Sequence, residues 1–148
     1  MPPETNSEVF NYRFIRFLVG LLAFLLPVLL VLSAYGLRFP VAPSISEFFY
    51  TPARELLVGT IGAISIFLLC YNGHAVDTDK QDWRERYVPD RLLSLIASAG
   101  ALGVAFFPVH SPLAEGQSPE PMFITLLGVS GASLMHNLSA LAFFAALT

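Results

Sequence analysis

Polar and apolar positions in this chain are segregated over whole segments. Four stretches contain no Asp, Glu, Lys or Arg: residues 17–37, 56–76, 92–114 and 121–148. Each reaches the roughly 20 apolar residues that cross a hydrocarbon core as a helix. The pattern predicts an all-α fold, a polytopic transmembrane helix bundle, with four spans near residues 17–37, 53–73, 92–110 and 122–148. Packed as a soluble core instead, four helices apolar on every side would leave too little polar surface in 148 residues to cover them. The first apolar run outlasts the roughly 7 to 15 residues of a secretory signal. It reads as a span, bent at Pro27, whose ring and missing N–H disturb a helix interior.

Residues 1–16 form a cytoplasmic N-terminal arm, polar over residues 1–7, and residues 17–148 a single transmembrane domain. Basic residues set the direction. Arg13, Arg16, Lys80, Arg84, Arg86 and Arg91 fall on one side of the predicted spans and only Arg38 and Arg54 on the other. The positive-inside rule places the N-terminus and the 77–91 loop in the cytoplasm, and residues 38–54 and 110–121 outside. The expected location is the inner (plasma) membrane.

The first outer loop is more than a linker. It carries Pro40, Pro43 and Pro52, with Phe39, Phe48, Phe49 and Tyr50 between them. Ser44 and Glu47 have the S-x-x-E spacing of a capping box, and the three consecutive aromatics suit headgroup depth. Thr51-Pro52 is a helix start, hydroxyl then proline, so the second span begins near Ala53. Small residues four apart, Gly59 with Ala63, Ala99 with Gly103 and Gly128 with Ala132, predict close helix approach or self-association.

Composition narrows the function classes. Charged residues make up 13% of the chain and hydrophobic ones 55%, with a mean hydropathy of +0.64, against about 25% charge in soluble domains. A net charge of −3 provides no basic field for a nucleic acid, so the expected partner is the lipid bilayer. One cysteine, Cys70, allows no internal disulfide and no cysteine-based zinc site. The acids at 77–82 lack the glycine and glutamate of a calcium loop, and Trp83 and Tyr87 share a helical face.

The polar inventory near the spans is short: Glu47, Tyr50, Arg54, Glu55, His74, His110, His136 and Asn137, with serines. No two histidines are close in sequence, so neither a metal nor a cofactor is expected. His136 and Asn137 interrupt an apolar stretch and need partners inside the bundle. Two readings stand. One is a non-enzymatic membrane protein serving binding, sensing or transport assistance, with Tyr50, Glu55 and Asn137 as ligand contacts. The other is a membrane hydrolase or lipid-modifying enzyme whose catalytic candidates are Ser46, Glu47, Arg54 and His136, although no G-x-S-x-G motif marks a nucleophile.

Three stretches resemble an uncharacterised family of bacterial multi-pass membrane proteins. S-I-S-E-F-F-Y-T-P-A-R-E at residues 44–55 is similar to that family's S-I-S-x-Y-Y-H-T-P-M-R-D loop. A-L-G-V-A-F-F-P at 101–108 and H-N-L-S-A-L-A-F-F at 136–144 resemble its A-L-G-V-A-L-F-P and H-L-x-x-A-x-x-F-F. The family's loop histidine falls on Tyr50 and its aspartate on Glu55. The resemblance implies a fragment of a protein of about six spans, with His136 near the outer end of the fourth span and residues 123–133 as an interfacial approach.

Overall fold

The computed structural model describes residues 7–71, 90–115 and 120–147, with side chains from residue 14 onward. The expectations for His74, Trp83, Tyr87 and the 77–91 loop lie largely outside these residues. Those described are helical and contain no strand: α1 (Ser7–Leu37), α2 (Arg54–Leu69), α3 (Asp90–Phe106) and α4 (Met122–Leu147). A 3₁₀ turn, Ser46–Tyr50, precedes α2, and a second, Pro112–Ala114, precedes α4.

Each helix packs on its neighbour in sequence, α1 on α2, α2 on α3 and α3 on α4. They run alternately up and down, because residues at the start of α1, the end of α2, the start of α3 and the end of α4 line one shared hollow of about 420 Å³. The apolar core sits toward the other end. Leu26, Leu30 and Ala34, on one face of α1, meet Phe48, Phe49, Tyr50, Ala53 and Leu57, with Ile124 and Ala132 of α4 completing the cluster. The aromatic run expected at headgroup depth is therefore buried, and the loop plugs the bundle.

Among the described residues two helices are long and apolar enough to cross a membrane, Phe14–Leu37 and Met122–Leu147, and only 17% and 11% of their most apolar windows are buried. Their large side chains face outward: Phe24 is 72% exposed and Leu141 68%. α2, at 16 residues, falls short of that length, and α3 has 17 residues from Asp90, where the described stretch begins, so the described residues hold two such helices where the pattern predicts four spans. α3 stops at Phe106 because Pro108 has no N–H to donate and disfavours helical geometry just before it.

α1 is helical from Ser7, the first described residue, and stays helical through Pro27. It ends in a Schellman motif: Arg38 is left-handed (φ 58°), and the Phe39 amide donates to the Ala34 carbonyl. Gly128 breaks α4, with φ 70° and ψ 166°, a region that essentially only glycine enters. It divides a short approach segment from the helix that carries His136.

Of the predicted small-residue pairs, Ala99–Gly103 supplies a helix contact through Gly103 and Gly128–Ala132 a buried core residue in Ala132. Gly59 has nothing near its missing Cβ. The close approach is at Gly100 and Gly103, which face Ser139 and Phe143 of α4. Between α2 and α3 the glue is polar: the Ser65 hydroxyl donates to the Ser98 carbonyl and the Ser98 hydroxyl to the Ser65 carbonyl, both at 2.9 Å, while Ser94 donates to the Leu68 carbonyl. In an apolar surround such hydroxyls hold helices together.

Candidate functional site

The site forms where the Ser46–Tyr50 turn lies across the ends of α3 and α4. His136 is 6% exposed and has a partner at each ring nitrogen: Nδ1 is 2.8 Å from the Phe107 carbonyl oxygen and Nε2 is 3.1 Å from Ser46 Oγ. A carbonyl can only accept, so Nδ1 carries the proton, and in the neutral ring Nε2 accepts from the Ser46 hydroxyl. The imidazole thus ties the turn to the end of α3.

Glu47 points elsewhere. One carboxylate oxygen accepts the Ser44 hydroxyl at 3.0 Å and the other the Ser111 hydroxyl at 2.6 Å. The S-x-x-E spacing predicted exchange with backbone amides; the structure instead joins side chain to side chain, while the Glu47 amide donates to the Ser44 carbonyl. Ser111 also accepts from the Leu113 amide, so this pair fixes the second turn as well. The Tyr50 hydroxyl donates to the Val109 carbonyl at 2.7 Å. Burial raises the Tyr50 phenol above its ordinary pKa, opposed by the Arg54 charge.

α2 starts at Arg54, next to the predicted Ala53, but Ala53 and not Thr51 is its cap residue. The Thr51 hydroxyl accepts from the Ala53 amide and donates to the Phe48 carbonyl, making a turn that delivers the chain to Arg54. The Arg54 guanidinium lies 4.1 Å from the Phe49 ring centroid, a cation–π contact. Glu55 and Asn137 are exposed, as is His110.

Of the four catalytic candidates, the fold therefore joins Ser46 to His136, turns Glu47 toward other serines and stacks Arg54 on an aromatic ring. Of the three ligand candidates, Tyr50 is occupied internally, Glu55 borders a hollow beside α2, and Asn137 faces outward. Sequence reasoning missed Ser111, Val109 and Phe107, two of which contribute only backbone carbonyls. Among the described residues no three of His, Cys, Asp and Glu gather to hold a metal ion. No buried side-chain nitrogen or oxygen there lacks a partner.

The Ser46 to Nε2 bond has the donor order of a nucleophile and its base. A carbonyl, not a carboxylate, orients the ring, and the amides of Glu47 and Phe48 donate to the carbonyls of Ser44 and Ile45, which removes them as oxyanion donors. No family model, curated protein or solved structure matches this chain.

Proposed function

We propose that this chain is a four-span integral membrane protein of the bacterial inner membrane, N-terminus in the cytoplasm, that works by binding at its outer face and not by catalysis. Sensing or transport assistance would follow from such binding. The family resemblance of residues 44–55 belongs to the same proposal. The apolar exposure of α1 and α4 supports membrane insertion, and the alternation of helix ends supports placing the α1–α2 and α3–α4 connections on one side.

The observation that carries the reading is the fastening of the outer loop. Three ties, His136 to Ser46, Glu47 to Ser111 and Tyr50 to Val109, run from one five-residue turn to the region around the ends of α3 and α4. Each of these polar groups is spent on another protein group, which suits a fixed lid. A catalytic serine needs a vacant approach and donors aimed at the developing oxyanion.

The hydrolase reading stays in play on one observation, the Ser46–His136 bond itself. The test is direct. Purified protein is treated with a fluorophosphonate probe and with short-chain esters. The binding reading expects no labelling of Ser46 and no turnover. Labelling that disappears in both Ser46→Ala and His136→Ala would establish the hydrolase instead.

A further inference from the structure

Beside the fastened loop lies a hollow of about 410 Å³, within the ordinary range for small-molecule sites. Its walls are apolar: Val58 of α2, Phe106 of α3, and Met122 and Phe123 at the start of α4. Two opposite charges, Arg54 and Glu55, adjoin it from the first turn of α2. Arg54 is steadied by the Phe49 ring, and the two do not form an ion pair with each other. Glu55 is exposed, so its carboxylate is open to a ligand.

We infer that this hollow receives the headgroup of a zwitterionic phospholipid from the outer leaflet. The phosphate sits at Arg54, the primary ammonium at Glu55, and the glycerol and upper acyl chain lie against Phe106, Met122 and Phe123. Charge decides the class. An anionic headgroup would satisfy Arg54 but meet repulsion at Glu55, and a purely apolar ligand would leave both charges partly desolvated without partners. The walls decide the source, because a free soluble zwitterion would leave three large apolar side chains unused. The position agrees, since the hollow opens at the ends of helices, where a bilayer presents its headgroups. The inference deepens the binding function proposed above and rests on it.

The test uses the full chain, purified in detergent, delipidated and incubated with mixed micelles of phosphatidylethanolamine and phosphatidylglycerol; retained lipid is read by native mass spectrometry. Phosphatidylethanolamine is expected to be retained in about five-fold excess, the order set by one solvent-facing ion pair. Glu55→Gln, at an exposed side chain, is expected to abolish that preference while phosphatidylglycerol retention holds or rises. Arg54→Gln lowers retention of both lipids, and Val58→Trp, which fills the hollow without touching either charge, does the same. Equal retention of the two lipids by the unaltered chain, or a preference that survives Glu55→Gln, overturns the inference. So does competition by millimolar soluble phosphoethanolamine as effective as the lipid. Carbonate washing of membranes separates the two levels: a chain that stays in the membrane yet shows no preference fails only here, and a chain that washes off fails the membrane reading as well.

Discussion

His136 and Ser46 are ninety residues apart in sequence and 3.1 Å apart in space. The bond crosses from the helix after the Gly128 break to the turn before α2, so it ties the first outer loop to the last described helix. His136→Ala removes both of its bonds and leaves the Ser46 hydroxyl and the Phe107 carbonyl short of partners. The expected loss is about 2–4 kcal/mol, from two partly buried groups at roughly 1–2 kcal/mol each. Thermal unfolding in detergent measures it, and limited proteolysis is expected to cut first within residues 38–53. A variant as stable and as resistant as the parent would show the clamp to be idle.

Tyr50 predicts an alkaline limit. Burial raises its folded pKa above the unfolded value of about 10. Below that pH both states hold the phenolic proton, and the contribution is constant. As pH rises past 10 the unfolded chain releases the proton first, so unfolding becomes more favourable until the folded pKa is passed. Stability is therefore expected to be flat on this account below about pH 10 and to fall above it. Tyr50→Phe removes most of that fall, at a loss of about 1 kcal/mol at neutral pH for the Val109 bond. An unfolding curve against pH that the substitution does not alter would refute the assignment.

Gly100 and Gly59 make a matched pair of tests. A Cβ at Gly100 would come within 2.7 Å of the Ser139 carbonyl oxygen and 2.8 Å of the Phe143 nitrogen, both backbone atoms that cannot rotate away. Gly100→Ala should force α3 and α4 apart and destabilise by about 1–3 kcal/mol. Gly59→Ala meets nothing within 4 Å and gains up to about 1 kcal/mol of helix propensity. Opposite shifts in the unfolding midpoint are the expected result; a neutral Gly100→Ala would show that the helix contact is looser than described.

Cys70 reports the topology without any substitution. It is the chain's single cysteine, exposed, and caps the end of α2 away from the outer loop. A membrane-impermeant maleimide is expected to leave it unlabelled in sealed right-side-out vesicles and to label it in inverted ones. In a Cys70→Ser background, Glu115→Cys should show the reverse. Labelling of both positions from one side would dismantle the four-span proposal.

The absence of charge over long stretches made the helices readable, since a span tolerates few unpaired charges and the gaps therefore mark its bounds. Residue spacing was a poorer guide to helix contacts. Small residues are common in any apolar segment, so Gly59 and Gly128 matched the pattern with open space beside them, whereas Gly103 matched it and makes the contact together with Gly100, which the pattern missed. The serines of α2 and α3 were silent for a related reason: a hydroxyl in an apolar helix can bond within its own helix as readily as across, as Ser33 does to the Leu30 carbonyl. His136 stood out because an apolar stretch gave it no local partner. That it would find Ser46 and a carbonyl, and leave Glu47 to Ser111, depends on how a proline-rich loop folds back, which no spacing encodes.

The helices differ greatly in length. α1 has 31 described residues and α2, capped at both ends, has 16, which at 1.5 Å per residue is about 46 Å against about 24 Å. A hydrocarbon core is about 30 Å thick. In the four-span arrangement, α1 must tilt strongly or stand clear of the bilayer as a stalk, while the lipid beside α2 must thin to meet it. The protein would then pull a dimple into the leaflets around it, drawing shorter-chain lipids to one flank and favouring thin membranes over thick ones.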